Sequence, residues 1–168
     1  MKTKIIIGMA VLGLLFSCKK EDGGSTMTAM EVKMTDAPGD YNQVNVDLQQ
    51  VTIKMKNGGW INVQTNQGVY DLLKLQNGID TTVVVDSVPT GDIEQIRFIL
   101  GPNNTIMVDS TLYPLATPSA MQSGLKLNLN KFLLPNFNNV ILIDFDAHES
   151  IVEQGNGDYS LKPVLRTL

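Results

Sequence analysis

The sequence predicts an all-β domain of about nine strands, two antiparallel sheets packed face to face in an immunoglobulin-like or transthyretin-like sandwich. A closed barrel is the alternative architecture. Three observations carry the prediction. Apolar residues recur every second position through most of the chain, clusters of Gly, Pro and Asn interrupt these runs at short intervals, and no window of a dozen residues shows a helical stripe.

Taken in order, Met30, Val32 and Met34 alternate with Glu31, Lys33 and Thr35, and Val44, Val46 and Leu48 alternate with Asn45, Asp47 and Gln49. Val51, Ile53 and Met55 continue in the opposite phase, so the slip at Gln49-Gln50-Val51 predicts a bulge or bend. Asn57-Gly58-Gly59 predicts a turn, and Trp60-Ile61-Asn62-Val63 the returning arm of a hairpin. Further strands are expected at Val69–Leu73, Thr81–Asp86, Ile93–Leu100, Thr105–Val108, Leu125–Leu129, Val140–Ala147 and Tyr159–Leu165. Asn77-Gly78, Pro89-Thr90-Gly91, Gly101-Pro102-Asn103-Asn104, Pro135–Asn139 and Gly155–Asp158 separate them. The stretch Asp71–Leu75 suits one helical turn. Pro114 and Pro118 flank Leu115-Ala116-Thr117 and predict an extended edge segment or loop.

Ahead of this pattern stand Lys2 and Lys4, then Ile5 to Phe16 without a charge, then Leu15-Phe16-Ser17-Cys18. A positive start and a short apolar run form a secretion signal, too short to span a bilayer as a helix. The last four residues resemble the lipobox of bacterial lipoproteins. That resemblance implies signal cleavage after residue 17 and lipid on Cys18, with several acyl chains giving a stable anchor. The expected organisation is therefore a signal peptide over 1–17, a flexible tether over 18–27 and the β domain over 28–168. Lys19-Lys20-Glu21-Asp22 in the tether resembles the surface-export signal of Bacteroidetes lipoproteins, which implies an outer-membrane protein at the cell surface; the periplasmic face is the alternative.

Removing residues 1–17 takes Lys2 and Lys4 with it, leaving 151 residues, 11 basic against 17 acidic, and a formal charge of −6. A chain of this balance offers nucleic acid no cluster of Lys and Arg, so no nucleic-acid partner is expected. Cys18 is the only cysteine, so no disulfide can close within the chain.

No phosphate loop, no Gly-x-Ser-x-Gly elbow and no Cys-x-x-Cys is present, and His148 is the sole histidine. These absences argue against an enzyme, and no catalytic residue is assigned. Carboxylate-pair hydrolysis is the enzymatic alternative. Asp144-Phe145-Asp146-Ala147-His148-Glu149-Ser150 is the most chemically loaded segment. On a strand, Ile141, Ile143, Phe145 and Ala147 point to the core, leaving Leu142, Asp144, Asp146 and His148 on the other face. Asp144 and Asp146, joined by Asp36 from the Thr35–Tyr41 turn, are the candidate ligands for calcium, a cation that prefers oxygen. The competing reading is structural, with these carboxylates bonded to loop amides and paired with Arg97 or Arg166. Arg97, between Ile96 and Phe98, is expected buried with a carboxylate partner. Trp60, Tyr41, Tyr70, Tyr113 and Tyr159 are candidates for a sugar-stacking platform, though such rings also plug sandwich cores.

Thr35-Asp36-Ala37-Pro38, Trp60, Asp71–Gly78, Val88-Pro89-Thr90-Gly91, Gln95-Ile96-Arg97, Thr117-Pro118-Ser119, Gly124-Leu125-Lys126, Asp144-Phe145-Asp146-Ala147, Ser150-Ile151-Val152 and Tyr159–Arg166 together resemble the bacterial lipoprotein family known as domain of unknown function 4382. One departure is Asp92-Ile93 after Gly91, where that family often carries an aromatic residue. The resemblance implies a β-sandwich in the cell envelope and no particular activity. The functional expectation is a non-catalytic binding or adhesion module for a glycan or a surface protein. The alternative is a structural subunit of a surface assembly, joined by strand addition.

Overall fold

A computed structural model describes residues 26–39, 41–117, 123–155 and 157–168. The expected signal peptide and nearly all of the tether, with Cys18, lie outside them, as do Pro118 and Ser119. The chain forms β1 (Met27–Thr35), β2 (Gln43–Met55), β3 (Trp60–Val63), β4 (Gly68–Asp71), a 3-10 turn (Leu72–Leu75), β5 (Thr81–Pro89) and β6 (Gly91–Leu100). It continues as β7 (Thr105–Val108), β8 (Thr111–Ala116), β9 (Leu125–Leu133), β10 (Asn138–Asp146), the single helical turn α1 (Ala147–Ser150), β11 (Ile151–Glu153), β12 (Tyr159–Leu161) and β13 (Val164–Thr167).

The smaller sheet has the order β13-β10-β1-β5, and the larger runs β11-β12-β8-β7-β2-β6-β9 with β3 and β4 also on β2. Long β2 organises the larger sheet. Thr52 lies between Asn62 of β3 and Arg97 of β6, and Asn45 between Asp71 of β4 and Thr105 of β7. β2 therefore carries two partners end to end along each edge. The sheets meet where Thr65 bridges Val84 and the Asn66 amide donates to the Val83 carbonyl at 2.8 Å. The barrel is not closed.

The alternating residues supply the core. Met30, Val32, Met34, Ile141, Ile143 and Phe145 from the smaller sheet are buried with Val44, Val46, Leu48, Val51, Ile53, Ile96 and Phe98 from the larger. Ala147 is buried with them, although it stands at the start of α1 and not on the strand that the periodicity predicts. The slip at Gln49-Gln50 is a register shift between Leu48 and Gln50 against β6, which keeps both halves of β2 facing inward. One helical turn occupies Leu72–Leu75, as expected.

Four expectations need correction. The described chain has 13 strands, because Tyr159–Leu165 divides at Lys162-Pro163 and β8 and β11 are additional. The sheets are mixed, since β1 runs parallel to β10 and β12 parallel to β8. The segment at Pro114 is strand β8, which lies between β7 and β12 in the sheet order and is not a terminal strand, although Pro114 itself pairs only with Thr105 of β7 while β12 pairs with Leu115 and Ala116. The strand from Val140 stops at Asp146, whose carboxylate accepts the Glu149 amide at 2.9 Å and starts α1, so His148 leaves the strand face.

Candidate functional site

The parallel pairing of β1 and β10 decides where the chemistry collects. Thr35 sits opposite Asp144, so Asp36 and Asp146 leave their strands at the same end of the sheet. The Thr35 hydroxyl shares its one proton between the Ile79 carbonyl at 2.8 Å and the Leu75 carbonyl at 2.9 Å, tying the Leu75–Ile79 segment over the strand end. Asp36 accepts the Ala147 amide at 2.8 Å on Oδ1 and the Gln76 side chain at 3.2 Å on Oδ2. Three carboxylates predicted as a set are thus brought together.

Arg166, opposite Asp144 on β13, supplies the positive charge. Its Nη1 lies 2.7 Å from Asp146 Oδ2 and 3.8 Å from Asp144 Oδ2, and its Nη2 is ion-paired with Glu149. Asp144 Oδ1 is buried without a hydrogen-bond partner among the described residues. Burial raises the Asp36 carboxyl to about 6, held back by the Ala147 amide and Gln76 and reinforced by Asp144 and Asp146. Burial and Asp146 raise Asp144 as well, against Arg166 and the Ala37 amide. An open cleft of about 360 Å³ adjoins the cluster, lined by Asp36, Pro38, Gly78, Asp80, Leu142 and Asp144 among others.

The calcium expectation concerns the same three carboxylates. The oxygens of Asp36 and Asp146 already accept backbone, Gln76 and Arg166 donors, whereas a calcium site needs six or more converging oxygens. Among the described residues, no group of three His, Cys, Asp or Glu side chains is placed to hold a metal ion. The structural alternative, loop amides together with Arg166, describes the contacts that are present.

Beside the cluster lies a group of rings. His148 is exposed, its ring centroid 6.4 Å from Tyr41, and its Cβ is close to Gly39. Tyr113 and Tyr159 pack at 5.3 Å with a tilt of 58°. Burial raises the Tyr159 phenol, as do Glu153, Tyr113, Tyr41 and Asp109, which face it. Three of the five proposed platform rings therefore gather, and two do not. Tyr70 donates its hydroxyl to the Asn66 carbonyl. Trp60 lies under Arg97, whose guanidinium carbon is 3.9 Å from the ring centroid. Arg97 thus has an aromatic partner where a carboxylate was expected. Gly124, at φ +76°, passes so close that a Cβ there would sit 2.4 Å from Arg97 Cγ. Three segments that carry the family resemblance meet at this stack.

Two polar centres escaped the sequence reading. Asp47 is buried although it alternates like a surface residue, because the Gly101–Asn104 corner folds over it. Its Oδ2 accepts Asn103 donors at 3.1 and 2.8 Å, and its main chain bonds Asn104 and Gly101. Buried Asn139 accepts the Leu134 amide and directs its NH₂ at Thr28 Oγ1 and the carbonyls of Ala29, Leu134 and Phe137. The turn residues around each were visible in sequence, but the polar side chains beneath them were not.

No helix among the described residues is long and apolar enough to cross a membrane, a statement that does not bear on strands. No functionally curated protein and no solved structure matches the chain. The family described as Domain of unknown function (DUF4382) matches residues 27–163, the whole span from β1 to the approach to β13. The chain belongs to that family.

Proposed function

We propose that this chain is a lipid-anchored, non-catalytic binding module of the outer membrane, displayed at the cell surface and recognising glycan through Tyr41, Tyr113 and Tyr159. Its scaffold would be a sandwich of immunoglobulin-like or transthyretin-like kind. The observation that carries the reading is the gathering of these three rings beside His148 and the carboxylates at one end of the domain. Aromatic faces stack on the apolar faces of sugars, and carboxylates accept hydroxyl donors. The anchor rests on the charged start, the apolar run and the placement of Cys18.

An oligosaccharide array probed with the mature chain tests the proposal. Binding that falls roughly tenfold on Tyr159→Ala, the loss of about one stacking contact, supports it. Silence across the array overturns it.

A second reading has its own observation. β9 is the terminal strand of the larger sheet and is nine residues long, enough to accept a partner's strand. Cross-linking in intact cells that recovers only monomer excludes that assembly role.

A further inference from the structure

The end of the domain where the chain enters differs from the rest of its surface. Three segments build it: Thr26–Met30, Ser87–Gly91 and Phe132–Val140, none containing a charged residue. They are held together tightly. Met27 pairs with Pro89, the Thr90 amide donates to the Thr26 carbonyl, and Thr28 Oγ1 donates to the Leu134 and Phe137 carbonyls at 2.7 and 3.0 Å. Asn136, at φ 55°, turns the chain between Leu134 and Phe137.

On this rigid frame stand Met27, Phe132, Leu134 and Phe137, each between 49% and 58% exposed. Phe132, near the end of β9, and Leu134, just beyond it, flank Leu133, which is fully buried, and both are exposed. Large apolar side chains grouped and presented this way mark an interaction surface. Lys56, Asp92 and Lys131 lie at its rim, where Asp92 pairs with Phe132 and Ile93 with Lys131.

We propose that this uncharged end rests on the bilayer surface, with Met27, Phe132, Leu134 and Phe137 entering the lipid interface beside the acyl chains of Cys18. The inference builds on the lipid anchor of the proposed function. The length of the tether selects lipid as the occupant. Eight residue steps separate Cys18 from Thr26, a reach of at most roughly 29 Å. β1 runs about 26 Å from Met27 to Thr35. The apolar end, where the chain enters the domain, therefore lies well within that reach. The carboxylate end would touch the membrane only with the tether almost fully drawn back along the strand. The three segments that face the lipid are uncharged, with Lys56, Asp92 and Lys131 only at their rim, whereas the far end carries Asp36, Asp80, Asp144, Asp146 and Glu149 against Arg166 and Lys33. Desolvation therefore opposes the reverse orientation.

The test uses the full lipidated protein in vesicles of phosphatidylethanolamine and phosphatidylglycerol. Lipid occupies the thiol of Cys18, so one added cysteine is the only site for a fluorophore. Phe137→Cys reports the apolar end, and Ile79→Cys, an equally exposed apolar position beside the Asp36 loop, reports the other. Nitroxide-labelled lipids are expected to quench the label at position 137 strongly and the label at 79 little. Equal quenching at the two positions, or none at 137 in protein that floats with the vesicles, overturns the docking and leaves the anchor standing. Protein that fails to float overturns the anchor and the docking together. A triple change, Phe132→Ser, Leu134→Ser and Phe137→Ser, provides a second measurement, with a label at Ala29→Cys, an exposed position of the same end. It is expected to keep flotation and lose quenching at that end; retained quenching counts against the proposal.

Discussion

Strand β1 begins at an end of the domain built from uncharged segments and finishes among carboxylates. At the first end the polar work is done by neutral groups, with Asn139 and Thr28 satisfying turn carbonyls beneath exposed apolar side chains. At the second, Asp36, Asp144 and Asp146 are buried around the single guanidinium of Arg166. Both ends close the same two parallel strands. The difference lies in cost: neutral amides can be buried once bonded, whereas crowded carboxylates retain an electrostatic penalty even when bonded.

The largest effect is expected at the neutral end. Asn139→Ala leaves the Leu134 amide without its acceptor and removes a buried side-chain amide from Thr28, Ala29, Leu134 and Phe137, and should destabilise the fold by about 2–4 kcal/mol in denaturant unfolding. A loss under 0.5 kcal/mol would mean water satisfies those groups and the comparison fails.

The next effect has the opposite sign. Asp36 titrates near 6 in the fold against an ordinary 3.8, so the native state holds more protons than the unfolded chain between those values. Its contribution is most favourable below pH 3.8 and is lost as pH rises through 6, on the order of 2–3 kcal/mol in total. The raised Asp144 acts in the same direction. Asp36→Asn should therefore stabilise the protein at pH 7.5, change little near pH 4, and flatten the melting temperature between them. An unchanged pH profile would show that the carboxylates are relieved by solvent.

The smallest effect returns to the apolar end. Phe137→Ser alters an exposed side chain and should shift stability by no more than about 0.5 kcal/mol. A larger loss would make Phe137 part of the packing and not of an outer surface.

Much of this was legible in the sequence because half-buried strands expose their period directly. Met30 to Met34, the slip at Gln49-Gln50, the hairpin at Gly58-Gly59 and the inward face of Ile141 to Ala147 all follow from alternation. Alternation carries no direction, however, so the parallel pairing of β1 with β10 was hidden, although it alone brings Asp36 to Asp144. The same local pattern reads Arg97 as buried with a carboxylate, whereas it is half-buried over Trp60, which reaches it across β2. Asp47 reads as a surface residue because its cover, Gly101–Asn104, arrives from over fifty positions away. Gly101 itself leaves no room for a side chain, as a Cβ there would lie 2.3 Å from the Asp47 carboxylate.

The Asn139 contact with Ala29 has a kinetic consequence. The two residues stand 110 positions apart, and β1 gains its parallel neighbour only through them and the ladder that follows. Closing so large a loop costs entropy before any contact returns it, which makes topologies of this kind slow to fold. In a chain that emerges N-terminus first, β1 can pair with β5 long before β10 arrives. It must then wait with one edge open until most of the remaining sequence has emerged.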